Sequence, residues 1–238
     1  MNRRDSTHAH VHAHAYDKET YAFNILVIGE LGVGKTSLKL RYTDNVFDPD
    51  IKANAGIDFK VKIIPLYSEE YVKLSIWDTA GSEKYRSIAN NYFKNAHGIL
   101  LCFDISNRQS FEELNKFWLN FIDDYLETGN NRNRVCFAYL VGNKMDLEHE
   151  RKVTYKEGEE LAKSFNSKYY ETSSLNGYGV ETVFNDMVVD LVDKTKELNE
   201  NDNADVKGLK LSRDASFYRE CSSEISKDFV DSRSAVCC

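Results

Sequence analysis

The chain has 238 residues, of which 42% are hydrophobic and 12% aromatic, so it is long enough for one domain with tails or for two small domains. Its net charge of −7 argues against a broad basic surface, so no nucleic-acid partner is expected, and no apolar run approaches the roughly 18 residues that a membrane-spanning helix needs. The five cysteines are scattered over apolar runs, a polar tail and the last two positions, which excludes a disulfide framework and suits a reducing cytosol.

Residues 1–20 are polar and carry histidines at alternate positions, namely His8, His10, His12 and His14. Alternate spacing would place the four imidazoles on one side of an extended strand, which is compatible with a Zn²⁺ or Cu²⁺ site. The segment holds too few apolar residues to build a core of its own. We therefore favour a disordered, solvated arm over a metal site.

A glycine-rich loop follows the first predicted strand, which covers residues 23–29. From Gly29 to Thr36 the sequence reads Gly-Glu-Leu-Gly-Val-Gly-Lys-Thr, the pattern of a phosphate-binding loop, and a helix is predicted over 35–43. The loop N–H groups and the helix N-terminus attract phosphate oxygens, Lys35 adds a cation, and the Thr36 hydroxyl is placed to hold Mg²⁺. A glycine turn with a surface lysine is the disfavoured alternative. The predicted phosphate-binding residues are Gly29, Gly32, Val33, Gly34, Lys35, Thr36 and Ser37.

Strand and helix patterns alternate from residue 21 to residue 197. The other predicted strands cover 57–66, 71–78, 98–104, 134–142 and 168–172, and the other predicted helices cover 82–94, 108–127, 154–166 and 179–197. The short link at 68–70 requires an antiparallel hairpin, whereas the later strands are separated by helices and are expected to be parallel. We predict an α/β fold: a doubly wound, mostly parallel six-stranded sheet with one antiparallel strand, helices on both faces, and a flexible tail over 198–238.

Ligands of open α/β sheets bind at the carboxyl ends of the strands, and candidate binding residues lie at the ends of three of the predicted strands. Asp78 ends the third strand, where a carboxylate can hold Mg²⁺ through water. Gly81 follows it, where a backbone N–H can meet a terminal phosphate. These positions predict the second part of a nucleotide site.

The fifth strand is followed by Asn143-Lys144-Met145-Asp146. The Asp146 carboxylate can accept hydrogen bonds from N1–H and the 2-amino group of guanine, which adenine cannot supply. Ser173, Ser174 and Leu175 follow the sixth strand and are placed for backbone contacts to the base. These motifs predict GTP or GDP with Mg²⁺ as the ligands, and they oppose an ATP-using phosphate-loop protein.

With these motifs, residues 22–197 resemble the small GTPases of the Ras superfamily, specifically the Rab branch. The Rab-like runs are 55–59, 73–77, 85–93, 101–106 and 117–119, and the terminal Cys237-Cys238 belongs to the same pattern. The resemblance implies a GDP/GTP switch that regulates vesicle trafficking by recruiting effector proteins to a membrane. It also implies an exchange factor, a GTPase-activating protein and a prenyl-binding escort protein as partners, and Phe47 packing against the guanine ring.

Three positions depart from the family pattern. Asn54 replaces the threonine that binds Mg²⁺ and reads the γ-phosphate, although its side-chain carbonyl could ligate Mg²⁺. Ser82 replaces the glutamine that orients the attacking water, so we expect intrinsic hydrolysis slower by roughly one to three orders of magnitude, with Ser82 and Lys35 as the catalytic candidates. Leu175 replaces the usual base-loop lysine, which predicts weaker guanine binding with retained specificity. The alternative is a hydrolysis-deficient pseudo-GTPase that serves as a nucleotide-bound membrane adaptor.

The last segment predicts how the chain reaches a membrane. In residues 199–238 acids outnumber bases, so there is no polybasic patch for anionic lipids. Stable anchoring needs two signals, and in the resembled family a terminal Cys237-Cys238 pair carries two geranylgeranyl groups. We expect a cytoplasmic protein that cycles to the cytosolic face of an intracellular membrane. Two free thiols on a frayed end are the alternative.

Overall fold

A computed structural model describes residues 20–51, 58–66, 70–78, 95–119 and 136–202. The sheet lies within a first unit of the chain, residues 1–198, and residues 199–238 form a second unit. Several predictions fall outside the described residues. They concern the histidine arm, Asn54, Gly81, Ser82, the helix over 82–94 and the terminal cysteines.

Six strands form one sheet in the order β2-β3-β1-β4-β5-β6. They are β1 Thr20–Ile28, β2 Asp58–Pro65, β3 Tyr71–Asp78, β4 Gly98–Asp104, β5 Phe137–Asn143 and β6 Lys168–Glu171. The β2–β3 pair is antiparallel and the other neighbouring pairs are parallel. The predicted six-stranded, mostly parallel α/β fold with one antiparallel strand is confirmed. Its carboxyl-terminal edge brings together Asp78, Asp104 and Asn143.

The described helices lie between these strands and after the last one. They are α1 Lys35–Asp44, α2 Arg108–Glu113 with a π-helical turn Leu114–Trp118 after it, a 3₁₀ helix Met145–Glu150, α3 Tyr155–Ser164 and α4 Val180–Asp202. A capping box starts α3, in which the Thr154 hydroxyl accepts from the Glu157 N–H and the Glu157 carboxylate accepts from the Thr154 N–H. The Thr154 N–H and the Arg108 guanidinium lower the pKa of Glu157 to about 2. No described helix has the length and apolarity needed to cross a membrane.

Some element boundaries differ from the predictions. β1 begins at Thr20 rather than at residue 23, because its first residues pair with Tyr71 and Val72 of β3, a partner strand that local patterns do not reveal. α4 continues to Asp202 rather than ending at residue 197. The last turns of α4 are polar and carry no apolar stripe, but lysine, glutamate and leucine all favour the helix.

Helices α1 and α4 share one side of the core. The apolar residues at helical spacing along α4 pack into the core, since Val180, Val183, Phe184, Met187, Val188, Leu191 and Val192 are all buried. The Tyr42 ring of α1 stacks on Phe184 of α4, with the ring centroids 4.0 Å apart. Such a stacked aromatic contact adds to the stabilisation that burial of both rings provides. The packing sets the position of α1, and with it the loop that precedes α1.

Candidate functional site

The loop between β1 and α1 has a backbone that requires glycine at two places. Gly29 has φ of 143°, and a Cβ there would collide with the carbonyl oxygen of Cys102 in β4. Gly34 has φ of 94°, and a Cβ there would collide with the side-chain amide of Asn143. Both glycines therefore allow the loop to lie against the ends of β4 and β5. The predicted phosphate loop is thus packed onto the sheet edge that carries the other candidate residues.

The Lys35 side chain lies inside this loop and bonds to its backbone. Its ammonium donates to the carbonyl oxygens of Gly29 and Glu30, each at 2.8 Å, and its side chain is almost fully buried. Burial lowers the pKa of Lys35, and the nearby Asp78 carboxylate partly offsets this effect. The loop therefore holds its cation in a fixed place, as stabilisation of a phosphate charge requires.

Thr36 and Asp78 bring two oxygen groups together beside the loop. The Thr36 hydroxyl donates to Asp78 Oδ2 at 2.5 Å, although 42 positions separate the two residues. Burial raises the pKa of Asp78, while the Thr36 hydroxyl and the Lys39 ammonium act in the opposite direction. A hydroxyl and a carboxylate are hard oxygen donors of the kind that Mg²⁺ takes in phosphate sites. The residues present therefore fit this metal, and Asn54, the third predicted ligand, lies outside the described residues.

Asn143 joins the phosphate loop to the loop after β6. Its Nδ2 donates to the Val33 carbonyl oxygen at 2.9 Å, which assigns Val33 a backbone role. Its Oδ1 accepts from the hydroxyls of Thr172 and Ser174 at 3.1 and 3.2 Å. Asn143 is buried, so these partners are needed to satisfy its amide. One side chain thus holds two sequence motifs that are far apart in the chain.

The predicted base-binding residues surround Asn143. The Ser173 hydroxyl donates to Asp146 Oδ1, which fixes the carboxylate at the surface of the loop. Lys144 adopts a left-handed backbone with φ of 65°, and its Nζ lies 2.7 Å from Asp104 Oδ2. Sequence reasoning missed Asp104, although a carboxylate that ends the otherwise apolar strand β4 was a usable signal. Together these contacts hold Lys144 and Asp146 in one arrangement.

Arg41 of α1 was also missed, and it holds the loop after β6, residues 173–175, which we call the base loop. Its Nε donates to the Ser174 carbonyl and its Nη2 to the Leu175 carbonyl, both at 2.7 Å. Its Nη1 donates to Asn45 Oδ1 at 3.0 Å. Two loop carbonyls and the end of α1 are therefore held by one rigid guanidinium. Leu175 contributes through its backbone, and its side chain is half-exposed.

The remaining predicted residues lie at the rim of this site. Asn45 ends α1 with φ of 55°, and Phe47, two residues later, is half-buried. Ser37 is half-buried on α1, and the Leu31 side chain in the phosphate loop is 60% exposed. The contact of Phe47 with a guanine ring stays a prediction.

Lys39 is the third residue that the sequence reasoning missed. It lies one helical turn after Lys35 on the buried face of α1, and its ammonium contacts the carboxylates of Asp58 and Asp78. The available signal was its i+4 spacing from Lys35, which places both lysines on one face of the helix.

A family model and several known relatives match most of this chain. The model of the family described as "Ras family" matches residues 24–193. The chain is similar to "Ras-related protein RABC1" of Arabidopsis thaliana, with 39% identity over 173 residues that cover 73% of this chain and 78% of the relative. It is 38% identical to "Ras-related protein Rab-1" of Theileria parva over 76% of this chain and 79% of the relative. It is also 38% identical to "Ras-related protein Rab-10" of Diplobatis ommata, over 75% and 86%.

Proposed function

Because this chain belongs to the Rab branch of the Ras family of small GTPases, we propose that its phosphate loop binds GTP with Mg²⁺ at Thr36 and Asp78. The chain is a Rab-type GTP-binding switch of membrane trafficking and a GTPase. The comparisons do not favour the adaptor without hydrolysis. The GTP-bound form recruits effector proteins, and an exchange factor and a GTPase-activating protein control how long that form lasts.

The bridge through Asn143 carries this proposal. Its amide supports the carbonyl of Val33 in the phosphate loop and accepts from Ser174 in the base loop, so one buried group links the two ends of a nucleotide-sized site. Lys35 then provides the cation for the β- and γ-phosphates, and Asp146 accepts from the guanine edge. The base, the phosphates and the metal thus have separate, mutually supported partners.

The hydrolytic step transfers the γ-phosphoryl group to water, and it depends on placing charges rather than on covalent chemistry. Mg²⁺, when bound, supplies positive charge that offsets the charge on the phosphate oxygens. Lys35 adds a second cation that is already fixed by two loop carbonyls. Ser82 is too short to hold the attacking water as a glutamine would. The intrinsic rate is therefore proposed to be low and to depend on an activating protein.

Thr36→Ala tests the metal part of this proposal. We expect Mg²⁺ to slow the release of N-methylanthraniloyl-GDP from the wild-type protein by at least about tenfold, because the cation links nucleotide and protein. The Ala variant should lose most of this effect. Stopped-flow fluorescence with and without a chelator measures it. Thr43→Ala is the matched control, since Thr43 lies on the same helix and donates to the Lys39 carbonyl instead.

If Mg²⁺ slows nucleotide release to the wild-type extent in both Thr36→Ala and Thr43→Ala, Thr36 is not a ligand of the metal. Equal losses in both variants would point instead to a general loosening of α1.

Attachment to the membrane is proposed to occur through lipids on Cys237 and Cys238, delivered by a prenyl-binding escort protein. The acidic balance of residues 199–238 leaves no basic patch to help, so both cysteines should carry a prenyl chain. Intact mass spectrometry of protein isolated from its native cell checks this, with two geranylgeranyl additions as the expected result. An unmodified C-terminus in the membrane fraction would overturn it.

A further inference from the structure

Lys39 is a lysine inside the protein, at the metal side of the site. Its side chain is 0% exposed, whereas lysine is almost never fully buried unless it is paired. Lys39 lies one turn along α1 from Lys35, and the roles proposed for nucleotide binding leave it unused. The groups that the Lys39 ammonium contacts therefore indicate its role.

The Lys39 ammonium contacts two carboxylates. The Lys39 ammonium lies 2.5 Å from Asp58 Oδ2 and 3.6 Å from Asp78 Oδ2. Asp58 and Asp78 are directly opposite each other in the antiparallel register of β2 and β3. Like charges in such a pair repel, and the ammonium between them removes the repulsion. Asp78 Oδ2, which also accepts from the Thr36 hydroxyl, is therefore already next to an internal cation.

We propose that Lys39 is a built-in counter-cation that lowers the affinity of this site for Mg²⁺ and makes nucleotide retention less dependent on the metal. The inference rests on the proposed function, in which Thr36 and Asp78 hold Mg²⁺. A fixed positive charge within a few ångströms repels a second cation, and it also neutralises the carboxylate that would attract that cation. The buried position of Lys39 keeps water from screening this effect.

A purely structural ion pair makes a different prediction. If Lys39 only neutralised Asp58 and Asp78 for the benefit of the fold, its removal would lower the free energy of unfolding. The Mg²⁺ concentration that slows nucleotide release would then stay the same. The Mg²⁺ dependence therefore separates the two roles, and thermal unfolding of the same variants records the structural contribution.

Lys39→Met tests the proposal, because methionine keeps most of the apolar stem and removes the charge. We expect the Mg²⁺ concentration for half-maximal slowing of N-methylanthraniloyl-GDP release to fall about tenfold in this variant. Lys60→Met is the matched control. Lys60 also bridges β2 and α1, with Nζ 2.5 Å from Asp44 Oδ2, but it is 39% exposed and pairs with that carboxylate instead of Asp78. We expect the control to behave like the wild type.

Asp58→Asn gives a second test in case Lys39→Met does not fold. The Asp58 side chain is 57% exposed, so the change is tolerated, and it leaves the Lys39 charge directed at Asp78. The half-maximal Mg²⁺ concentration should then rise by about threefold to tenfold. If Mg²⁺ slows nucleotide release equally in the wild type and in all variants, the inference is wrong, whereas the proposed metal site is still supported. If Mg²⁺ does not slow nucleotide release from either the wild type or Lys39→Met, both the proposed metal site and the inference are wrong.

Discussion

Asp146→Asn is expected to lower the affinity for GTP by at least about a thousandfold and to create binding of xanthosine triphosphate. The Asp146 carboxylate is proposed to accept from N1–H and the 2-amino group of guanine. An asparagine would direct an N–H at that amino group and leave a donor unsatisfied. Xanthine carries a carbonyl at the same position, and the asparagine amide can donate to it. Fluorescence titration with labelled GTP and xanthosine triphosphate measures both changes.

The surroundings of Asp146 allow this substitution without loss of its hydrogen bond to Ser173. The Ser173 hydroxyl donates to Asp146 Oδ1, and an asparagine oxygen in that place can accept the same hydrogen bond. Glu148→Gln is the matched control, because Glu148 lies in the same 3₁₀ helix and pairs with Arg151 on the surface. It should leave both affinities unchanged. Unaltered GTP binding in Asp146→Asn would mean that another residue reads the base.

Ser82→Gln is expected to speed single-turnover GTP hydrolysis by roughly ten to a thousandfold. The glutamine amide can hold the attacking water in line with the γ-phosphate, which a serine hydroxyl is too short to do. Protein loaded with GTP and then given Mg²⁺ is followed by release of phosphate. Ser82→Ala is the control, and it should match the wild type because the serine is not expected to position the water.

The outcomes of this experiment separate the enzyme from the adaptor. A measurable wild-type rate that the glutamine raises means that the site is intact and that Ser82 prolongs the GTP-bound state. Binding of GTP without turnover in either protein would favour the adaptor that the resemblance left open. A slower rate in Ser82→Ala would assign the serine hydroxyl a part in hydrolysis.

Local patterns carried most of the correct predictions. The motif from Gly29 to Thr36 is contiguous, so the sequence alone indicated where the turn needs glycine, and Gly29, Gly32 and Gly34 do have positive φ angles. The alternation of apolar strands with helices predicted the sheet and its single antiparallel hairpin, because a short link cannot hold a crossover. The sequence did not predict the polar C-terminal turns of α4, because these turns lack the apolar periodicity that indicates a helix.

The sequence by itself determined which chemistry we propose for this protein, since each proposed nucleotide motif is a short run at the end of a strand. Only the tertiary structure decided which charges meet around those motifs. Lys39 contacts Asp58 and Asp78 because the register of β2 and β3 places the two carboxylates opposite each other below α1. Arg41 reaches the base loop only because α1 packs beside the loop after β6. Such pairings depend on strand order and helix packing, which residues far apart in the chain create together.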